Sequence, residues 1–370
     1  MRRTILLLGS LYMKVLGSNF RTANHQCTFA DRLIIIDEGS VRTMLYGTTI
    51  ISQVFCIERE HTKQHTTADH TTTLGLMEPN ENGDGGVVGI GSGSNNIKCS
   101  LPSCIVDPRH LPQQSDREIL LTLNDILRSA TQLESGGDGV GKDSGNGGDG
   151  GTGSGASSGD SNSAHESGID IEGTFYMIGG GGGSIGIALL TAFPNVIFDV
   201  TEINRNVMLL GRQYFGFASS TRRLNIYESD GRNFLKGTRG YYDVAIIDAS
   251  THIGCPLRIL TYQFLQELIR ALRDRSVVIS RIFKSTTYLQ GALKTYVEMF
   301  GDGRVWYKCV DGDICLIVAF HFSNISSTAE NIAMSRKLFG RSFQRSWLKA
   351  DIAMLKVDVL CDPGMAHCAN

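Results

Sequence analysis

The sequence predicts an α/β protein whose main domain is a doubly wound, mostly parallel sheet that closes with an antiparallel hairpin. Two observations carry this prediction. From residue 173 onward, apolar runs typical of buried strands alternate five times with helical patterns. After the fifth repeat, residues 304–310 and 314–322 flank the turn Asp311-Gly312-Asp313, which indicates a hairpin instead of a further strand–helix unit.

The elements of this domain, residues 173–322, follow from the period of their apolar residues. Short runs rich in β-branched and aromatic side chains predict strands, and apolar residues spaced three or four apart predict helices. The strands are predicted at residues 174–178, 196–201, 224–228, 242–248 and 276–282, and the helices at 184–192, 204–214, 262–272 and 289–299.

A small β-hairpin unit is predicted in residues 1–60. Residues 33–36 are four consecutive aliphatic residues, and the turn signal Asp37-Glu38-Gly39 follows them directly. Residues 41–45 and 49–57 read as two further strands. An antiparallel unit of this size is too small to be stable alone, so we expect it to pack on the later domain.

Residues 61–172 are predicted to be a polar, Gly/Ser-rich insertion that is largely disordered. Residues 134–168 are of low complexity and cannot bury enough apolar surface to offset the entropy of ordering. Only residues 118–133 carry apolar side chains at helical spacing, which predicts a short amphipathic helix. Residues 323–370 are expected to extend the main domain as helical or extended chain.

Charge and cysteine usage exclude several classes of protein. The 370 residues carry a net charge of −2 without a stripe of lysine and arginine, which argues against nucleic acid as a partner. The nine cysteines contain no CxxC pair, which favours reduced thiols in a cytoplasmic protein over a zinc site. No apolar run approaches the length of a membrane span, so no membrane partner is expected. The oligomeric state is left open.

The strongest local feature is a glycine-rich turn between the first strand and the first helix, residues 176–186. Glycine suits a sharp turn that a ligand approaches closely, and the free N–H groups of a helix start favour a carboxylate or phosphate. Gly181, Gly183 and Gly186 also satisfy the GxGxxG pattern, so a nicotinamide cofactor is an alternative. A glycine-rich turn that binds no ligand is a second alternative.

Three acids follow successive strands. Glu202 ends the second strand, where a carboxylate can accept both ribose hydroxyls of S-adenosylmethionine or of NAD equally well. Asp230 follows the third strand and suits either an adenine amino group or the cap of the next helix. Asp248 ends the fourth strand, where it can orient an acceptor amine and take its proton, or can be structural. His252 is either a base or a solvated loop residue.

These segments resemble the spermidine-synthase-like methyltransferases, whose class I methyltransferase sheet has the Rossmann-like order with a closing hairpin. The resemblance rests on the phrases IGGGGGSIG, FDVTEIN, YFGFASSTRRLNIYESDGRNFL and YYDVAIIDAS. DRLIIIDEGSVRTML near the start and RKLFGRSFQRSWLKADIAMLKVDVL near the end are most similar to the branch that methylates translation elongation factor 1-alpha. The resemblance covers residues 31–57 and 173–360.

The resemblance implies S-adenosyl-L-methionine as the cofactor and the N-terminal α-amine of elongation factor 1-alpha as the acceptor. It implies a role for nine positions of this chain. The methionine part would contact Gly179, Gly181, Gly183 and Ser184, the ribose Glu202, and the adenine Asp230 and Gly231, while the candidate catalytic residues at the acceptor entrance are Asp248 and Ser250.

The sequence departs from the family at the acceptor side. Thr251 stands where polyamine synthases have a second acid, which argues against aminopropyl transfer. Ser250 stands where the elongation-factor enzymes have a further acid, and their His-His segment before the first strand is missing. A non-catalytic, partner-binding relative is therefore the main alternative to a methyltransferase, followed by a polyamine synthase and an NAD enzyme.

Overall fold

A computed structural model describes most of two regions of the chain, before and after the glycine-rich stretch. The described residues are 25–28, 33–38, 40–46, 49–57, 105–135, 171–217, 222–251, 255–284, 286–323, 325, 327–340, 347–351, 353, 355 and 357–365. The predictions for His252 and for most of the insertion, residues 58–104 and 136–170, lie outside them.

The N-terminal unit is a five-stranded antiparallel sheet whose strands neighbour one another in chain order. The three predicted strands are confirmed as its middle members. A short strand is added at each edge, and one of these edge strands follows residues 58–104 in the chain. The strands are β1 (His25–Thr28), β2 (Leu33–Glu38), β3 (Val41–Tyr46), β4 (Thr49–Ile57) and β5 (Ile105–Val106).

The remaining elements belong to the main domain. The helices are α1 (Gln114–Ser135), α2 (Ser184–Ala192), α3 (Arg205–Tyr214), α4 (Gly231–Phe234), α5 (Tyr262–Ala271), α6 (Thr286–Phe300) and α7 (Thr328–Phe339). The strands are β6 (Gly173–Ile178), β7 (Val196–Glu202), β8 (Leu224–Glu228), β9 (Tyr242–Ile247), β10 (Leu272–Phe283), β11 (Val305–Asp311), β12 (Ile314–His321) and β13 (Leu348–Lys349).

The eight strands of the main sheet have the order β13-β11-β12-β10-β9-β6-β7-β8. Five neighbouring strands of this order, β10, β9, β6, β7 and β8, pair in parallel. Strand β12 lies between β10 and β11 and runs antiparallel to both. This confirms the mixed α/β fold with a closing hairpin. The sheet does not continue in parallel after β10, as the dinucleotide-binding version of the fold would.

Both faces of this sheet are covered because its central strands are apolar on both sides. On one face, Phe198 and Val244 pack with side chains of α1 and α2. On the other face, Tyr176 and Ile247 pack with side chains of α5 and α6. The carboxyl ends of the parallel strands are thereby held at one edge of a rigid layer.

Helix α1 corrects the predicted domain boundaries. The helix is confirmed and begins at Gln114, four residues earlier than the pattern predicted. Its apolar stripe, Ile119, Leu123 and Ile126, is buried in the same cluster as Phe175 of the main sheet. Residues 114–135 are therefore part of the main domain and not of an insertion, because the sheet face would otherwise lose its apolar cover.

The N-terminal sheet packs on α3, as expected. Leu33 and Met44 are buried against Leu210 and Phe215 at the inner side of that helix. The interface also holds a buried ion pair, in which Arg42 donates to both oxygens of Asp37 at 2.7 Å. The described apolar residues of the unit thus share one cluster with the main domain, which contributes to their burial.

Two further expectations concern cysteines and membranes. Cys309 and Cys315 form a disulfide between the paired strands β11 and β12, so the expectation of reduced thiols is wrong for this pair. The register places the two residues opposite each other, which the sequence pattern had not indicated.

Among the described helices, none combines the length and apolar character that a membrane crossing requires. The cytoplasmic location stays a prediction.

Candidate active site

A cavity of about 320 Å³ opens at the carboxyl ends of β6, β7, β8 and β9. It lies where the strand order reverses on either side of β6, which is where open α/β sheets bind ligands. Its volume is at the lower end of the range of cofactor sites, about 300–1,000 Å³. Seven of the nine predicted site residues line it: Gly179, Gly181, Glu202, Asp230, Gly231, Asp248 and Ser250.

The glycine turn is shaped by contacts within the protein. Gly179 has a φ of +90°, and a Cβ there would lie 2.6 Å from the carbonyl oxygen of Asp248. Gly181 has a φ of +50°, and its Cβ would lie 2.7 Å from the carbonyl oxygen of Ile51 in β4. Glycine is therefore required because the turn passes between the tip of β9 and the N-terminal sheet.

The amides of this turn are already used. Gly179 and Gly180 donate to the carbonyl oxygen of Thr201 at 2.9 and 3.2 Å, and Gly181 donates to Glu202 Oε2 at 2.9 Å. The sequence predicted that the N–H groups of this turn are free to attract an anion. That prediction is wrong for these three amides. These three amides are not available to a pyrophosphate, which weighs against a dinucleotide.

Gly183 and Ser184 do not line the cavity. A Cβ on Gly183 would lie 2.2 Å from the ring of Phe217, so this glycine makes room for a buried aromatic side chain. Ser184 Oγ donates to Asp116 Oδ2 at 3.1 Å and faces the protein interior. The structure thus gives both residues packing and hydrogen-bonding roles, away from the predicted ligand.

Glu202 is fixed at the tip of β7 and is only 8% exposed. Its Oε2 accepts the amide of Gly181, and its Oε1 accepts the amide of Asn204 at 2.9 Å. The backbone amides of Ile203 and Gly180 also stabilise this carboxylate, so backbone donors already use much of its acceptor capacity. Burial raises the pKa of Glu202, and the backbone hydrogen bonds oppose that rise.

Asp230 combines capping with a place in the cavity wall. Its Oδ1 accepts the amide of Asn233 at 3.0 Å, which confirms the capping interpretation, and its Oδ2 pairs with Arg258 at 2.9 Å. The neighbouring Gly231 leaves space for Ile178, since a Cβ would lie 2.7 Å from that side chain. Arg258 was missed because no sequence signal connects it to Asp230.

Ile203 supplies an apolar part of the cavity wall and was also missed. It is 67% exposed in spite of its aliphatic side chain, and it lines the cavity together with Glu202 and Asp230. An exposed aliphatic surface next to two acceptors suits a flat heterocycle that carries hydroxyl and amino groups. The available signal was its position directly after the acid that ends β7.

Asp248 follows β9 and is shielded, with 13% of its side chain exposed. Its Oδ1 pairs with Arg281 Nη1 at 3.1 Å. Burial raises the pKa of Asp248 from 3.8 to about 7, helped by the negative charges of Asp116 and Glu202, although Arg281 opposes the rise. A carboxyl group with this pKa can exchange a proton near neutral pH.

The acceptor side of the cavity is poor in acids. Ser250 and Thr251 line it next to Asp248, and Pro256 and Ile259 supply apolar walls. Within the part of the chain that the structure describes, no three His, Cys, Asp or Glu side chains are grouped as a metal site. The described residues on this side of the cavity therefore offer the carboxylate of Asp248 and the hydroxyl groups of Ser250 and Thr251 to an acceptor.

The segment that builds the cavity matches a known domain. Residues 175–301 match the Spermine/spermidine synthase domain. The chain contains a spermidine synthase-like domain. The match begins within β6 and ends just after α6, so it covers the strands that build the cavity.

Curated relatives of this spermidine synthase-like domain include two kinds of transferase. A Polyamine aminopropyltransferase of Vibrio vulnificus is 30% identical over 129 residues, which are 34% of this chain and 43% of the relative. Putrescine N-methyltransferase 3 of Nicotiana tabacum is 31% identical over 107 residues, 27% of this chain and 28% of the relative. The chain thus spans less than half the length of these relatives.

One solved structure supports the fold. A probable spermidine synthase from Corynebacterium glutamicum is 14% identical, with a TM-score of 0.52 over 93% of this chain and 99% of that one. Human Methyltransferase-like protein 13 in complex with SAH is 17% identical, with a TM-score of 0.43 over 66% of this chain and 98% of that one. A special closeness to the branch that modifies elongation factor 1-alpha stays a prediction.

Proposed function

We propose that this chain is an S-adenosyl-L-methionine-dependent N-methyltransferase. One observation carries the proposal: Glu202, Asp230 and Asp248, at or just after the ends of three parallel strands, line one cavity together with the glycine turn. Acids placed in this way offer acceptors in a row along a ligand, with Asp248 at the end nearest the acceptor side. The fold of the spermidine synthase-like domain supports the proposal.

The cavity residues fit an adenosyl group. Glu202 lines the cavity, where its carboxylate would accept from the ribose hydroxyls in exchange for some of its backbone hydrogen bonds, and Ile203 would offer an apolar face to the adenine ring. Asp230 lines the same cavity, where its Oδ2 would accept from an adenine amino group after partial release from Arg258. When bound, S-adenosyl-L-methionine supplies an electrophilic methyl group on a sulfonium.

Asp248 is the residue that would handle the acceptor amine. A nucleophilic amine must be neutral, and transfer of a methyl group to nitrogen releases one proton. A carboxyl group with a pKa of about 7 is present in both forms at neutral pH, so Asp248 can accept that proton and pass it on. The shielded position of Asp248 also excludes water from the reacting nitrogen.

Methyl transfer is favoured over aminopropyl transfer by the charge of the acceptor side. A free diamine carries two positive charges, but Asp248 is already paired with Arg281, and Ser250 and Thr251 are neutral. Aminopropyl transfer is the second candidate, because several relatives are named Polyamine aminopropyltransferase.

We propose the N-terminal α-amine of elongation factor 1-alpha as the acceptor to test first, as the sequence resemblance implies.

The deciding experiment offers both donors and both classes of acceptor to the full chain. S-adenosylmethionine and decarboxylated S-adenosylmethionine are each incubated with elongation factor 1-alpha, with the same factor acetylated at its N-terminus, and with putrescine. Mass spectrometry then shows which group is added. Methylation of the free factor alone supports the proposal. Aminopropylated putrescine would establish the second candidate instead.

Cofactor binding tests the cavity independently of turnover. Glu202→Gln places an amide where two backbone N–H groups need acceptors, so we expect affinity for S-adenosylhomocysteine to fall about 10-fold, equivalent to about 1.4 kcal/mol. Glu228→Gln, at the exposed end of β8, is the control and should bind as the unchanged protein does. Binding without any transfer would indicate the non-catalytic, partner-binding alternative.

A further inference from the structure

A buried chain of charges reaches the acceptor side from outside the matched domain. Asp116 lies in the first turn of α1 and is fully shielded from solvent. Its Oδ1 pairs with Arg281 Nη2, and its Oδ2 accepts from Ser184 Oγ at 3.1 Å. The other terminal nitrogen of Arg281 pairs with Asp248 at 3.1 Å. One guanidinium in β10 therefore bridges two acids.

The charges that face Asp248 come from several elements. Arg281 in β10 is the opposing cation, while Asp116 in α1 and Glu202 in β7 are negative. Cys255, before α5, is a half-buried residue, and the pKa of its thiol is raised chiefly by desolvation and also by Asp248. Because Arg281 divides its charge between Asp116 and Asp248, its stabilisation of the Asp248 carboxylate is incomplete.

We propose that Asp116 is a positioning residue for the acceptor site, because it holds the Arg281 guanidinium in the bridging geometry and shares its charge with Asp248. Asp116 touches neither the cavity nor a substrate, so it acts through Arg281. The inference rests on the proposed function for its catalytic meaning. Through Asp116, helix α1 therefore affects the charge at the acceptor site, although α1 precedes the matched domain in the chain.

The test is the titration of Asp248 in the full chain, followed by carboxyl NMR after ¹³C labelling of aspartate. The Asp248 resonance is identified by its loss in Asp248→Asn. In Asp116→Asn, Arg281 belongs to Asp248 alone, so the titration midpoint should fall by about 1 pH unit. In Arg281→Lys, a single ammonium replaces the guanidinium and cannot pair with both acids in the same way, so the titration midpoint of Asp248 should rise. Asp116→Glu, which retains the charge, should restore most of the original value.

Glu118→Gln is the matched control. Glu118 lies in the same helix, is buried, and pairs with Lys308 at 3.2 Å, away from Asp248. A merely structural role of α1 predicts that Glu118→Gln and Asp116→Asn change the titration equally, or that neither changes it. Either result would overturn the proposal. Shifts of opposite sign in Asp116→Asn and Arg281→Lys support it, even where no methyl group is transferred and the proposed function fails.

Discussion

Replacing Asp248 by asparagine should make the protein more stable at alkaline pH and abolish its chemistry. The asparagine imitates the protonated carboxyl group in size and charge. Burial raises the pKa of Asp248 from 3.8 to about 7, so folding favours the protonated form. Stability from this group is fully present below pH 3.8 and is lost as the pH rises towards 7.

The magnitude follows from the width of that interval. About three pH units at about 1.4 kcal/mol each give a loss of about 4 kcal/mol in the unchanged protein, which the asparagine variant avoids. We therefore expect Asp248→Asn to be about 4 kcal/mol more stable to urea at pH 8, and nearly equal to the unchanged protein at pH 4. A gain in stability with a loss of activity is common where a site holds a buried charge.

The assay is urea unfolding of both proteins at pH 4, 6 and 8, followed by fluorescence. Asp362→Asn is a control of opposite sign, because hydrogen bonds from Arg232 lower the pKa of Asp362. This variant should lose stability by about the same amount at pH 4, 6 and 8, because the contribution of Asp362 declines only below its ordinary pKa of 3.8. A variant Asp248→Asn that is no more stable than the unchanged protein at pH 8, or equally more stable at pH 4 and 8, would refute the reasoning.

Two further pairs of substitutions test the fold. Gly183→Ala puts a Cβ 2.2 Å from the Phe217 ring at a φ of +87°, and should cost about 3 kcal/mol, seen as a clear drop in Tm. Gly312→Ala, with open space around it, should change Tm little. Ile119→Ala in α1 should cost about 2–5 kcal/mol in urea unfolding, whereas Leu121→Ala, 47% exposed on the same helix, should cost under about 0.5 kcal/mol. Equal costs for the two helix variants would place α1 outside the core.

Several features of the site could be read directly from the chain. The glycine turn and the acids Glu202, Asp230 and Asp248 each follow an apolar run that predicts a buried strand. Because parallel strands share one carboxyl edge, residues that end such runs come together whatever the loops do. The cavity is therefore implied by local pattern and by a general rule of sheet topology.

Other features depended on contacts between distant segments. Arg281 and Arg258 lie far along the chain from Asp116 and Asp230, and their ion pairs arise only when β10 and the loop before α5 are packed in place. No spacing rule connects such pairs, since each depends on three-dimensional proximity. The position of Ser184 facing inward, away from the cavity, has the same origin.

The amino-acid sequence by itself determined the periodic elements of this protein, because strand and helix patterns are local and repeat every two or 3.6 residues. It also placed three acids at strand ends. Only the tertiary structure decided that α1 belongs to the main core, that the turn amides are occupied, and that Asp248 shares one arginine with Asp116. Burial and charge sharing are properties of the packed molecule, so they raise the pKa of Asp248 only after distant segments have come together.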